Sequence, residues 1–128
     1  MFERLPIQVD SASRSPIYDQ IEAQIKSLIV GGQLPPGSAL PSIRKLATQL
    51  SCSVITTRRA YQNLEQAGYI ETLQGKGTFV KAMSAREQAM QKHVSLEEAL
   101  KKAIEAGRRY GYSDDELKKL FAEALMEG

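Results

Sequence analysis

Cysteine and histidine each occur only once in the 128 residues, as Cys52 and His93. One cysteine excludes an internal disulfide, and the pair is too small for the usual metal-ligand cluster. Apolar runs extend over only a few residues, whereas a membrane-spanning helix needs about 20. The N-terminus shows no charged-then-apolar leader. The sequence therefore predicts a cytoplasmic protein that contains no membrane span and binds no metal or cofactor.

Signatures of catalysis are also lacking. The chain shows neither a catalytic dyad at a recognisable spacing nor a glycine motif that could cradle a phosphate. We therefore expect a protein that is not an enzyme. Cys52 is expected to be a small buried filler rather than a redox sensor, and His93 a surface residue of a helix.

Basic charge is concentrated in the middle of the chain. Residues 40–81 hold six lysines and arginines but only two acidic residues, Glu65 and Glu71. Such an excess is typical of a phosphate-binding surface, although a merely solvated face produces it as well. A hydrophobic content of 42% and a charged content of 25% indicate a globular protein.

Two short helices joined by a tight turn are predicted over residues 42–67. Ser42 follows a proline and is a good N-cap, and apolar residues then recur at helical spacing. The first helix is expected to stop at residues 51–53, where Ser53 can cap the next one. Gly68 supplies the stop of this second helix. The core face of the second helix is expected to comprise Thr57, Ala60, Leu64 and Ala67.

A β-hairpin is predicted directly after these helices. Residues 69–73 and 78–80 have strand composition, and Gln74–Gly77 forms a glycine-containing turn between them. A helix-turn-helix followed by such a hairpin is a winged helix. On the N-terminal side, Ser15 and Pro16 are expected to begin a scaffold helix that ends at Gly31-Gly32. The alternation of Ile7, Gln8 and Val9 is typical of a short edge strand.

The chain from about residue 15 to 81 resembles the N-terminal domain of GntR-family bacterial transcriptional regulators. The resemblance rests on Pro16-Ile17-Tyr18, Gln20-Ile21, Gly32, Leu34, Pro36-Gly37, Leu40-Pro41-Ser42, Arg44, Leu46-Ala47, Leu50, Ser53, Thr56, Ala60-Tyr61, Leu64, Gly68-Tyr69 and Gly75 to Val80. It implies a sequence-specific regulator, with repression the expected mode of control. Its partner would be a double-stranded DNA operator, an inverted repeat read by a homodimer.

The resemblance and the motif geometry together predict the DNA-binding residues. Arg44 and Arg58 are expected to contact guanine, whereas Arg59 could reach a base, a phosphate or only solvent. Many family members carry arginine where this chain has Val54, which could touch a thymine methyl or leave that base unread. Phosphate contacts are expected from Ser42, Ser53, Thr56 and Tyr61, and wing contacts with the DNA backbone or a minor groove from Gln74, Gly75 and Lys76. The full predicted set is Ser42, Arg44, Ser53, Val54, Ile55, Thr56, Arg58, Arg59, Tyr61, Gln74, Gly75 and Lys76.

The composition changes after Val80, so we expect a winged helix-turn-helix domain over residues 1–82 and a helical dimerisation tail over 83–128. Serines 84, 95 and 113 each precede a glutamate by three residues, which is the pattern of a capping box. A helical hairpin over 84–109 and 113–127 follows, with the continuity of the helix at Ser95 left open. The overall fold class is therefore mostly α with one small β-hairpin.

Two helices alone leave their apolar faces half exposed, so the tail is expected to pair with a second copy of the chain. The expected interface residues are Leu96, Leu100, Ile104, Leu117, Leu120, Phe121 and Leu125. This short tail is similar to that of YtrA-like members of the family, which implies control of a neighbouring transporter operon. No residue set predicts a small-molecule effector site. The alternative function is a winged helix that binds another protein without specific DNA readout.

Overall fold

The chain forms five helices and one antiparallel hairpin within residues 4–128, the part that the computed structural model describes. The predicted class, mostly α with a small β-hairpin, is confirmed. The elements are α1 (Ile17–Val30), α2 (Ile43–Leu50), α3 (Val54–Gln66), β1 (Ile70–Leu73), β2 (Gly77–Val80), α4 (Ala85–Arg109) and α5 (Asp114–Glu127).

Helix α1 is the scaffold of the winged helix. Its buried stripe comprises Ile21, Ile25, Leu28 and Ile29, and its C-cap is Gly31, both as predicted. The expected cap at Ser15 is wrong. Pro16 occupies the N-cap position with an extended ψ of 150°, so the helix begins one residue later and no side chain caps it.

The helix-turn-helix is defined by serine caps. The hydroxyl oxygens of Ser42 and Ser53 accept from the backbone N–H groups of Lys45 and Thr56, at 3.1 and 3.0 Å. Between the helices, Ser51 adopts a left-handed conformation with φ of 54°, which reverses the chain in a short space. These contacts satisfy N–H groups that a helix start otherwise leaves without a partner.

Helix α3 buries three of the four predicted core residues, Thr57, Ala60 and Leu64. The fourth prediction is wrong, because Ala67 is the C-cap residue and is exposed where the chain leaves the helix. Gly68 follows with φ of 88° and stops the helix, as expected.

The β-hairpin has a third short partner that the sequence did not predict. Strands β1 and β2 pair in register from Ile70 opposite Val80 to Leu73 opposite Gly77. On the other edge of β2, the N–H of Leu40 donates to Thr78 and the N–H of Val80 donates to Ser38, each at 2.8 Å. The segment before α2 therefore fixes the hairpin to the helix-turn-helix.

The N-terminal segment is irregular and does not form the predicted edge strand. Three glutamine side-chain amides each pair with both backbone groups of one residue: Gln49 with Leu5, Gln24 with Gln8, and Gln20 with Asp10. The alternation seen in the sequence is real, because Leu5 and Ile7 are buried in the core. The pairing groups that a strand would use are occupied by these side chains.

The chain divides into two compact units, one ending at Gln88 and the other comprising Ala89–Gly128. In the second unit, α4 runs without a break through Ser95, which resolves the question that the sequence left open. Capping boxes form at Ser84 with Glu87 and at Ser113 with Glu116. Hydrogen bonds from the backbone N–H and the hydroxyl of Ser113 lower the pKa of the Glu116 carboxyl.

None of the helices within residues 4–128 has the length and apolar character to cross a bilayer.

Candidate nucleic-acid interface

The outward face of α3 begins with an unusual residue, because the side chain of Ile55 is 77% exposed. Arg58 and Gln62 are exposed on the same face, since residues three and seven positions later return to one side of a helix. Val54 is half-buried at the start of the helix. In a major groove the apolar side chain can contact thymine methyl groups, and the arginine and glutamine that follow it can hydrogen-bond to base edges.

Hydroxyl groups lie at the starts of both helices of the motif. Ser53 donates its own proton to the Thr56 hydroxyl at 2.8 Å. The Thr56 proton is then free to reach an outside acceptor, as is that of Ser42, whose oxygen only accepts. Backbone phosphates are typical acceptors for such groups.

Arg59 has a defined position on the side of α3 that faces α1. Its guanidinium lies over the ring of Tyr18, with the Cζ atom 3.9 Å from the ring centroid. One turn further along both helices, the side-chain amide of Asn63 donates to the Glu22 carboxylate at 2.9 Å. Arg59 is thus held toward α1, and because it comes four residues after Ile55 it lies at the α1 edge of the outward face.

The basic side chains of the motif carry uncompensated charge. The salt bridges within residues 4–128 lie on α4 and α5, where Glu97 pairs with Lys101 and with His93 if protonated, and Arg108 pairs with Asp114. No salt bridge in this part of the chain involves Arg44, Lys45, Arg58, Arg59 or Lys76. A phosphate backbone would supply the missing opposite charge.

The tip of the hairpin consists of Gln74, Gly75 and Lys76, all of them exposed. Gly75 has φ of 77°, a conformation that residues with a side chain rarely adopt. The tip therefore presents one amide side chain and one ammonium group on a narrow backbone turn. Such a wing can approach the DNA backbone or a minor groove.

The expected phosphate contact of Tyr61 is wrong. The residue is only 4% exposed, and its hydroxyl donates to the Pro41 carbonyl at 2.7 Å. Burial also raises the pKa of this hydroxyl well above its usual value. Tyr61 belongs to the core, where it joins α3 to the segment that precedes α2.

The remaining single residues have modest roles. Cys52 is half-buried in the turn, and its Sγ lies 3.2 Å from the Thr57 hydroxyl, as a packing residue would. His93 is exposed on α4, as predicted. Within residues 4–128 no group of histidines, cysteines and carboxylates is arranged to hold a metal ion.

The family model for "Bacterial regulatory proteins, gntR family" matches residues 17–80, which include the scaffold helix, the helix-turn-helix and the wing. The chain belongs to the GntR family. The transcriptional repressor YtrA of Bacillus subtilis is 40% identical over 114 residues, which cover 89% of this chain and 85% of YtrA. The predicted resemblance is confirmed, and with it a DNA-binding transcriptional regulator rather than an enzyme.

Solved structures of GntR proteins agree with this assignment. A GntR regulator from Listeria monocytogenes has a TM-score of 0.74 and 27% identity, covering 90% of this chain and 98% of its own. AraR(DBD) in complex with operator ORX1 has a TM-score of 0.52 and 31% identity, covering 57% of this chain and 93% of its own. The first comparison extends over most of the helical tail, and the second covers about the length of the winged helix.

The tail of this GntR regulator leaves large apolar side chains uncovered within the second unit. Leu117 differs from the other predicted interface residues, because it is half-buried against Gly107 of the same chain. The exposed members are Leu96, Leu100, Ile104, Leu120, Phe121 and Leu125, at 39% to 65% of full exposure.

Two contacts beside the candidate interface were not predicted from the sequence. Tyr18 lies 41 residues before Arg59, and no local pattern joins them. The pairing of Ser38 and Leu40 with β2 was missed because the two prolines and the glycine at 35–37 indicated only a rigid connector. Alternation of apolar and polar residues could have indicated a strand at residues 38–40, but three residues are too few to show such a period.

Proposed function

We propose that this GntR regulator is a homodimeric repressor that binds an inverted-repeat DNA operator. The observation that carries the proposal is the outward face of α3, where the exposed Ile55 and Arg58 have no partner within residues 4–128 other than solvent. An exposed isoleucine next to an arginine without an ionic partner leaves both an apolar and a charged group available to a ligand. Both side chains acquire partners when the helix enters a major groove.

Each part of the motif has a role in this complex. Arg58 and Arg44 form bidentate hydrogen bonds to guanine, each discriminating against a wrong base by about 1–3 kcal/mol. Val54 and Ile55 contact thymine methyl groups. The hydroxyls of Ser42, Ser53 and Thr56 hold the phosphates that fix the register. The wing, with Gln74, Gly75 and Lys76, contacts the backbone or the adjacent minor groove.

Dimerisation is assigned to residues 83–128 and DNA binding to residues 1–82. Six of the seven predicted interface residues in the tail are exposed, and a two-helix hairpin has no core in which to bury them. A symmetric pair would cover identical faces with each other and present two recognition helices to one duplex. Half-sites about one helical turn apart, roughly 34–36 Å, fit such a dimer.

The mode of control and the target are inferred from the relatives. YtrA of B. subtilis is named a transcriptional repressor, which supports repression as the mode of control. Control of a transporter operon stays a prediction, which rests on the resemblance of the tail to that of YtrA-like members. A DNA operator as partner places the protein in the cytoplasm. The identity of any effector is left unassigned.

The proposal is tested by selecting bound sequences from a random duplex library with the full chain. The winning site is then titrated at two salt concentrations with wild type, Arg58→Ala and the matched control Arg109→Ala on α4. We expect an inverted repeat whose affinity falls steeply with salt. Arg58→Ala should relax the preference at one base pair of each half-site, whereas Arg109→Ala should bind like wild type.

Two outcomes of this experiment would contradict different parts of the proposal. If no sequence is enriched, or if neither Arg44→Ala nor Arg58→Ala changes DNA binding, the repressor proposal is wrong. The winged helix would then be a module for binding another protein. A single enriched half-site without a repeat would contradict the dimer and leave the DNA-reading function in place.

A further inference from the structure

The two side-chain pairs between α1 and α3 form a ladder. Tyr18 and Glu22 are one turn apart on α1, and they contact Arg59 and Asn63, which are one turn apart on α3. Both pairs lie beside the buried contact of the two helices, where Ile21 and Leu64 are fully buried. The ladder fixes the orientation of the α3 side chains at that edge.

The ladder leaves the Arg59 charge available. Glu22, the carboxylate one turn along α1, accepts from the Asn63 amide, and no salt bridge to Arg59 forms within residues 4–128. A guanidinium stacked on an aromatic ring covers one flat face and keeps its N–H groups free along the rim. The stack therefore holds an unneutralised cation with its donors directed sideways.

Helical geometry places this cation at the edge of the recognition face. Consecutive residues are about 100° apart around a helix, so Arg59 cannot share the direction of Arg58. It lies between Ile55, four residues before it on the outward face, and Asn63, four residues after it on the side that contacts α1. Side chains at the edge of a helix in a major groove meet the phosphates that line the groove, whereas those at the centre meet the bases.

We propose that Tyr18 is a positioning residue that holds Arg59 against a DNA backbone phosphate. The inference rests on the proposed DNA-binding function and extends the interface from the helix-turn-helix to α1. It also decides the role of Arg59, which contributes affinity without sequence preference. Tyr18 itself acts through the arginine, by restricting the number of orientations that its long side chain can adopt.

The test compares full-length wild type with Tyr18→Phe, Tyr18→Leu, Arg59→Ala and the double variant Tyr18→Leu/Arg59→Ala. Each is titrated over a range of salt concentrations with the duplex selected by wild type and with a random-sequence duplex of equal length. Arg59→Ala should weaken binding to both duplexes by the same factor and reduce the salt slope by about one. Tyr18→Leu should lose about three- to tenfold in affinity, and Tyr18→Phe, which keeps the ring, should bind like wild type.

The double variant separates positioning from general damage. If Tyr18 acts only through Arg59, Tyr18→Leu/Arg59→Ala binds no more weakly than Arg59→Ala alone. Urea unfolding of each variant checks the fold, because Tyr18 packs against the core. Tyr18→Met, which keeps apolar bulk without a ring, replaces Tyr18→Leu if that variant does not fold.

Three results would overturn the inference while wild type still binds its selected site. Tyr18→Leu with unchanged affinity and salt slope would show that the stack does not matter for binding. Arg59→Ala with altered preference at one base pair would make Arg59 a base-reading residue. A double variant weaker than Arg59→Ala would give Tyr18 a contact of its own. Wild type that binds neither duplex would instead refute the proposed function.

Discussion

The hydroxyl of Tyr61 donates to the carbonyl oxygen of Pro41 at a distance of 2.7 Å, across 20 residues of sequence. Both residues are buried, so water cannot replace this bond. The contact ties the middle of the recognition helix to the residue that precedes the Ser42 cap of α2. It therefore couples the two helices of the motif at a point opposite to their turn.

Tyr61→Phe removes this bond and leaves the Pro41 carbonyl without that partner. We expect the free energy of unfolding to fall by about 1–3 kcal/mol, the usual cost of an unsatisfied buried polar group. Urea denaturation at a fixed protein concentration measures it. Tyr110→Phe is the matched control, because Tyr110 is 77% exposed and its replacement should change the unfolding free energy by less than about 0.5 kcal/mol.

Stability at high pH should depend on the same residue. Burial raises the pKa of Tyr61 above the value of 10.0 that it has in water. Above pH 10 the unfolded chain therefore loses this proton while the folded chain keeps it, and the free energy of unfolding falls by up to about 1.4 kcal/mol per pH unit. The stability advantage of wild type over Tyr61→Phe should shrink from pH 10 upward and stay constant below pH 9. A constant difference up to pH 11 would contradict the prediction.

Replacing Ile55 should separate folding from binding. Its side chain is so exposed that Ile55→Ala should change the free energy of unfolding by less than about 0.5 kcal/mol. Affinity for the selected duplex should nevertheless fall by roughly tenfold, because one apolar contact in the groove is lost. Thermal unfolding and DNA titration measure the two effects. Met126→Ala, equally apolar and more exposed, is the control that should leave DNA binding unchanged.

The effect of a Gly107→Ala substitution on stability should depend on Leu117, which lies against Gly107 where α4 and α5 pack together. A Cβ atom at Gly107 would overlap the Cδ2 methyl of Leu117, although Ala is the better helix former by about 1 kcal/mol. Gly107→Ala alone should therefore gain little or lose stability. In a Leu117→Ala background the overlap disappears, and the same change should stabilise the chain by up to about 1 kcal/mol. If Gly107→Ala changes the free energy of unfolding equally in wild type and in Leu117→Ala, the close approach of the two residues does not affect stability.

The dimer proposal predicts that a charged residue placed in the apolar face of the tail prevents dimerisation. Phe121→Glu would place a carboxylate in an apolar interface, which costs far more than leaving the residue in water. Sedimentation at micromolar concentration should show wild type as a dimer and the variant as a monomer, with much weaker binding to the full inverted repeat. Lys119→Glu, a charge change on the opposite side of the same helix, is the control. A wild-type monomer that stays folded would contradict the dimer directly.

Local signals in the sequence predicted most of the secondary structure. Ser42, Ser53, Ser84 and Ser113 begin their helices as expected, because a cap forms between residues that are three positions apart. Gly31 and Gly68 end theirs for an equally local reason. Helix α4 was harder to predict, since Ser95 carries the same capping pattern and yet lies inside a continuous helix. Neighbouring turns that are already helical outweigh one possible cap.

Contacts between distant residues account for what the sequence did not reveal. Tyr61 lies at helical spacing within a binding motif, so only its packing shows that its hydroxyl belongs to Pro41. The same holds for Arg59, whose direction is decided by a tyrosine on another helix. Side-chain type indicates which chemistry a residue can perform. The partner of that residue is set by the tertiary structure and cannot be predicted from local sequence.

Three glutamines hold the N-terminal segment in place by hydrogen bonds at three separate points. Each pairs with one residue, and the pairs are three and two residues apart along the segment, at Leu5, Gln8 and Asp10. Substitutions of exposed side chains in this segment should leave the pairing intact, because the segment contributes only backbone atoms to it. An inserted residue should disrupt it, since the insertion would move Leu5 out of the core or Asp10 away from Gln20. This segment therefore tolerates drift in sequence but not in length.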